Sequence, residues 1–170
     1  MTDILRNIEK KIFTLDALQV RRNLWRNENK KVVFTNGCFD ILHLGHITYL
    51  AKAAELGEIL VVAVNDDASV RAQNKAPNRP INPENARAFL LAALTFVDAV
   101  VIFSEDTPLK LIQQIQPDVL VKGADYDAAE TDSNSKKFIV GSTEVKAYGG
   151  VVKTIDLVDG YSTTAILAKK

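Results

Sequence analysis

Apolar positions along the chain follow two periods. Short runs rich in β-branched residues occur at Val32 to Phe34, Ile59 to Val64, Val97 to Phe103, Asp118 to Lys122 and Val151 to Ile155. Each has the length and composition of a strand, and Ile59 to Val64, apolar at every position, reads as one buried on both faces. Between them the spacing lengthens to that of helices. Ile47, Leu50, Ala51, Ala54 and Leu56 recur at helical intervals until Gly57 stops them. A strand, a helix and a strand in succession form a βαβ unit, whose crossover is right-handed. A further helix is expected from Pro83 to about Thr95, and Thr107 is expected to cap another that has Pro108 at its first position and ends at Pro117. A short helix should open at Gly141 to Glu144 and close at Gly149-Gly150, and Ser162 should cap the last.

Residues 1–30 are polar and charged, with Ile4, Leu5, Ile8, Ile12 and Phe13 at near-helical spacing and Thr14 placed to cap a second helix through about Asn27. They read as a helical extension before a main domain at 31–170. Leu18, Val20, Leu24 and Trp25 would pack on the sheet or on a second subunit, and the pattern is compatible with either.

Functional residues concentrate where the first long strand breaks. After Val32-Val33-Phe34 the pair Asn36-Gly37 interrupts the run, and His43, Gly45 and His46 fall where a helix begins. A strand feeding a helix through a glycine turn presents unpaired N–H groups and the positive end of the helix dipole, which attract phosphate. Two imidazoles three residues apart there can reach one polyphosphate. The chain has two histidines in all, both in this stretch. Neither a Gly-x-x-x-x-Gly-Lys-Ser/Thr loop nor a Gly-x-Gly-x-x-Gly turn occurs, which removes the fingerprints of P-loop and dehydrogenase dinucleotide sites.

Other candidates lie after later strands, at the edge where open parallel sheets hold ligands. Asn65 and Asp67 follow the second strand, although Asp67 and Ser69 would serve equally as helix caps. Arg71, Lys75 and Arg79 form a run of cations without an acidic neighbour between residues 68 and 83, suited to an anionic ligand. Lys122, Gly123 and Asp125 end the fourth strand, and Ser162, Thr163 and Thr164 open the last helix. Residues 127–137 read as a loop.

Composition narrows the class. Apolar residues make up 47% of 170, enough for the core of one α/β domain. Lysine plus arginine equals aspartate plus glutamate, 21 each, which favours neither a nucleic-acid nor a membrane partner. Cys38 is the single cysteine, so no internal disulfide forms. Its place in a glycine turn, with no third histidine to act as base, suits packing beside a ligand better than nucleophilic attack. No apolar leader or run of about 18 apolar residues stands out, which makes a cytoplasmic protein the expectation.

The stretch Asn36-Gly-Cys-Phe-Asp-Ile-Leu-His43-Leu-Gly-His46 resembles the signature of the cytidylyltransferase-like nucleotidyltransferases. Further blocks, Asn78-Arg-Pro-Ile-Asn, Glu105-Asp-Thr-Pro, Pro117-Asp-Val-Leu-Val-Lys-Gly-Ala-Asp-Tyr126 and Asp159-Gly-Tyr-Ser-Thr-Thr164, are similar to the adenylyltransferase domain of ADP-heptose synthase in a stand-alone form. The likeness spans residues 31–168. It departs at Ala124, where the family commonly has glycine, and at Ala76-Pro77-Asn78, where a glycine-rich loop is usual.

This resemblance implies a Rossmann-like open parallel sheet of about five strands with helices on both faces, and a homodimer. The implied reaction transfers AMP from ATP to D-glycero-β-D-manno-heptose 1-phosphate, with Mg²⁺, for lipopolysaccharide core synthesis. The resemblance makes His43, His46, Lys75 and Lys122 catalytic. Asn36, Gly37, Cys38, Phe39, His43, Gly45, His46, Asn65, Lys122, Gly123, Ser162, Thr163 and Thr164 would bind nucleotide, while Asp40, Asp67, Arg71, Arg79, Arg87 and Asp125 would meet the sugar phosphate. A glycerol 3-phosphate cytidylyltransferase, an FAD-forming adenylyltransferase and a non-catalytic nucleotide-binding module share the same motif and remain as alternatives.

Overall fold

The computed structural model describes residues 3–73 and 78–167. In chain order its elements are α1 (Asp3–Glu9), β1 (Ile12–Phe13), α2 (Leu15–Asn27), β2 (Val32–Gly37), α3 (Leu44–Ala54), β3 (Ile59–Asn65), α4 (Asp67–Ala72), α5 (Glu84–Ala92), β4 (Ala99–Phe103), α6 (Leu109–Ile115), β5 (Val119–Gly123), α7 (Ser142–Ala147), β6 (Val151–Ile155) and α8 (Thr163–Leu167). The strands form one parallel sheet in the order β1-β4-β3-β2-β5-β6.

Alternate strand residues supply two cores. Phe34, Val61, Val101 and Leu120 face one side with Leu18, Trp25 and Ile112. Val33, Val62, Val100 and Val121 face the other with Leu50 and Leu91. Burial on both sides explains the uninterrupted apolar runs, and each buried Val or Leu contributes about 1.5 to 3 kcal/mol.

The sheet has one strand more than the five expected. Ile12 and Phe13 pair with Val100 and Val101 at the edge, where a helix was predicted. Two residues carry no readable period, so neighbouring Ile4, Leu5 and Ile8 drew them into a helical pattern. Thr14 does cap α2, its side chain accepting from the Ala17 N–H. Leu18 and Trp25 are buried against the sheet, whereas Val20 and Leu24 are 65% and 46% exposed. Arg22 ties α2 inward by donating to the carbonyls of Ile115 and Gln116 and to the Asp118 carboxylate. At α6 the N-cap is Pro108 and not Thr107, and no side chain caps that turn.

From β2 the chain builds outward through β3 and β4 on one side, then returns to add β5 and β6 on the other. That reversal opens a crevice at the carboxyl ends of β2 and β5. Among the described residues no helix is long and apolar enough to cross a membrane.

Candidate active site

Strand β2 delivers Asn36 and Gly37 to the carboxyl edge, and the chain then turns through Cys38 to Leu42 before α3. His43 is the N-cap of that helix: its extended backbone lets Nδ1 accept the His46 N–H at 3.3 Å. An accepting Nδ1 carries no proton, so neutral His43 keeps its hydrogen on Nε2, leaving that N–H for a ligand. The His43 and His46 rings stack with centroids 3.8 Å apart and planes 20° from parallel. Phe39 closes the far side of His46 edge-on at 5.2 Å.

Two glycines permit this packing. A Cβ on Gly45 would lie 3.1 Å from His43 Nδ1 and Cε1, and one on Gly37 would lie 3.1 Å from the Phe39 ring. Phe39 itself has φ of 48°, a left-handed conformation that costs an aromatic residue energy and is found where a site fixes the chain.

Burial lowers the pKa of both histidines. For His46, burial acts first, joined by neighbouring His43 and Arg79 and only partly opposed by the Ile41 backbone, and the pKa falls to about 4. For His43, burial alone sets the downward direction. Both rings are therefore neutral near pH 7 and serve as hydrogen-bond donors that would gain a proton only beside a strong anion.

These residues form one wall of a cavity of about 610 Å³ at the switch point. Of the residues singled out in the sequence, Asn36, Gly37, Cys38, Phe39, Asp40, His43, Gly45, His46, Asn65, Arg79, Lys122, Gly123, Asp125, Ser162, Thr163 and Thr164 all border it. Lys122 Nζ donates to the Asn36 carbonyl at 3.2 Å and lies 5.5 Å from the centre of the Tyr126 ring. Asn36 Oδ1 is buried and, among the described residues, has no hydrogen-bond partner. The Cys38 thiol donates to Gln73 Oε1 at 3.3 Å.

Asp67, Arg71 and Arg87, read as substrate contacts, do not border the cavity. Arg87 is fully buried. It donates to the carbonyls of Asn82, Cys38 and Asn65 and to Asp67 Oδ1 at 2.6 to 2.9 Å. This buried cation ties the ends of β2 and β3 to α5 and occupies Asp67 in doing so. Neither Asp67 nor Ser69 caps α4, because Asp66 does, accepting from the Ser69 N–H. Lys75 lies outside the described residues.

Asp40 borders the cavity, but its acceptor positions are taken. It is 1% exposed and receives Arg79 Nε at 2.9 Å and the N–H groups of Ile81 and Asn82 at 2.7 and 3.0 Å. Burial works against its ionisation, yet these donors outweigh it and hold the pKa below the usual carboxylate value. Asp40 positions Arg79 and is not itself open to a substrate.

Tyr49, Gln73, Tyr126, Leu157, Val158 and Tyr161 also border the cavity and were not assigned from sequence. Three carried a signal. Tyr49 stands one helical turn after His46, Tyr126 follows Asp125, and Tyr161 precedes Ser162. Gln73, Leu157 and Val158 carried none. The Tyr49 hydroxyl is satisfied by Thr35 Oγ1 at 2.7 Å, which makes it a fixed part of the floor. Among the described residues no group of three or more His, Cys, Asp or Glu side chains could hold a metal ion. With Asp40 engaged, Asp125 is the remaining carboxylate on the wall.

Comparison with known proteins agrees with this geometry. Residues 34–169 match the family model described as cytidylyltransferase-like. The chain is 50% identical over 161 residues to the bifunctional protein HldE of Ectopseudomonas mendocina, covering 95% of this chain and 32% of that one. It is 52% identical over 163 residues to HldE of Campylobacter concisus, covering 96% and 31%. The chain thus spans about a third of the length of these relatives.

A lipopolysaccharide core biosynthesis protein from Thermoplasma volcanium has a similar structure, with a TM-score of 0.58 and 32% identity, covering 78% of this chain and 99% of that one. A pantoate-β-alanine ligase from Francisella tularensis, at 17% identity and a TM-score of 0.62 over 92% and 75% of the two chains, shares the fold. With a family model across most of its length and the paired imidazoles at the sheet's switch point, the chain belongs to the cytidylyltransferase-like family and is a nucleotidyltransferase.

Proposed function

We propose that the protein transfers AMP from ATP to D-glycero-β-D-manno-heptose 1-phosphate, releasing pyrophosphate and forming ADP-heptose. The observation that carries the transfer chemistry is the stacked pair of neutral imidazoles at the start of α3, sharing one cavity with Lys122. The choice of acceptor rests on the heptose-type sequence blocks and on the similarity to HldE and to a lipopolysaccharide core biosynthesis protein.

In this reading the sugar phosphate oxygen attacks the α-phosphorus in line, and pyrophosphate leaves without a covalent enzyme intermediate. His43 Nε2–H, His46 and Lys122 donate to phosphoryl oxygens as negative charge grows on them, while the N–H groups opening α3 hold a neighbouring phosphate. Arg79, fixed by Asp40, adds a cation whose planar fork suits a phosphate. Its Nε is committed, and the rest of the guanidinium serves the ligand. Lys75 retains the role expected of it.

Mg²⁺ would neutralise the triphosphate charge when bound. The sparse carboxylates of the cavity fit an ion carried mainly by phosphate and water, with Asp125 the side chain able to hold it. The reading also includes a homodimer, for which the exposed Val20 and Leu24 of α2 offer an apolar face.

The test is pyrophosphate release from ATP and the heptose phosphate. His46→Ala should lower kcat by about 10² to 10³, the usual effect of losing one aimed donor. Turnover near wild type in that variant would remove the histidines from the chemistry.

A further inference from the structure

At the opposite, amino edge of the sheet lies a second cavity, of about 510 Å³. Lys10 and Lys11 reach it from the end of α1, Arg21 and Trp25 from α2, Lys30 from the entry to β2, and Asp98 from the entry to β4. Four cations from three separate segments thus face one carboxylate. That carboxylate is engaged, since Asp98 Oδ2 accepts the Leu60 N–H at 2.8 Å.

Among the described residues no carboxylate lies within ion-pairing distance of Lys10, Lys11 or Arg21. Lys30 pairs with Glu28 at 2.8 Å, but half of the Glu28 side chain is exposed, and surface pairs of this kind exchange readily with other anions. Two of the cations are already held in place. The Arg21 guanidinium stands 5.5 Å over the Trp25 ring, and Lys11 Nζ donates to the Leu94 carbonyl at 3.1 Å with two N–H groups left over.

We propose that this cavity binds a small polyanion of the phosphate-ester class, separately from the nucleotide at the carboxyl edge. A guanidinium fork beside ammonium groups suits phosphoryl oxygens, and prior fixing of Arg21 and Lys11 lowers the ordering cost of binding. A cavity of this volume with a neutral chain around it suits a metabolite better than a polymer. The two sites are separated by the length of β2, six residues or about 20 Å.

Trp25 is the only tryptophan in the chain, and it lines this cavity. Its emission therefore reports directly on this site. Titration with inorganic pyrophosphate at constant ionic strength should give a saturable change in Trp25 fluorescence. In Lys10→Gln/Lys30→Gln, two exposed positions whose melting curve serves as the folding control, the apparent Kd should rise at least tenfold. In His46→Ala it should stay within twofold of wild type.

A linear, unsaturable response in the wild type would overturn the proposal, as would an unchanged Kd in the double variant. A response abolished by His46→Ala would assign the signal to the carboxyl-edge site and overturn it equally.

Discussion

His43 and His46 act as a pair because each fixes the other: one caps the helix that carries the second, and their rings stack at 3.8 Å. Their lowered pKa values give a pH dependence. The folded pKa of His46, about 4, lies below the ordinary 6.5, so the unfolded chain takes up a proton that the fold resists. The resulting stability is complete above about pH 6.5 and is lost as pH falls from there toward 4. The melting temperature of wild type should accordingly drop more between pH 7 and 5 than that of His46→Asn, read by circular dichroism. Binding a polyphosphate should reverse the preference and draw protons onto the rings. ATP affinity is expected to rise from pH 7 to pH 5.5, with proton uptake visible by calorimetry in buffers of different ionisation enthalpy. Gly45→Ala should lower kcat at least tenfold with little change in fold, since the added methyl meets the His43 ring and not the backbone. The histidine pair was legible in the sequence because no other histidine competes with it. Arg87 and Asp40 were misread in the same sequence: a buried arginine satisfied by carbonyls from distant loops looks, in one dimension, like any helical arginine.

At the scale of elements, the site is held by ties between segment ends. Arg87 joins the ends of β2 and β3 to α5 through four hydrogen bonds. Arg87→Met should cost about 3 to 5 kcal/mol, the range for breaking one partner out of a buried ion pair, measured by urea unfolding. Arg87→Lys should rescue little of it, because a single ammonium cannot serve acceptors spread around a planar fork. Strands β2 to β5 were legible because both of their faces are buried and their apolar runs are nearly continuous, and β6, largely exposed at the sheet edge, was legible from its β-branched residues after Gly149-Gly150. Strand β1 was not, since its existence depends on pairing with Val100 and Val101, far along the chain. The same limit hid Asp66 as the cap of α4, where Asp67 and Ser69 had equal local claims.

Across the whole molecule, the reversal of strand order at β2 and β5 gathers residues from five stretches, 36–49, 65–73, the loop at Arg79, 122–126 and 157–164, around one cavity. Sequence motifs marked the strand-end positions, because phosphate binding demands glycines, cations and hydroxyls there. They did not mark Leu157 and Val158, whose role as apolar wall exists only after folding. The acceptor's identity rests on these motifs and on relatives that are longer than this chain. Steady-state pyrophosphate release compares it directly against its rivals. The predicted result is turnover with ATP and D-glycero-β-D-manno-heptose 1-phosphate, with kcat/KM at least a hundredfold above that for CTP with glycerol 3-phosphate or ATP with FMN. Absence of pyrophosphate release with ATP and the heptose phosphate, or a preference for either rival pair, would contradict the assignment.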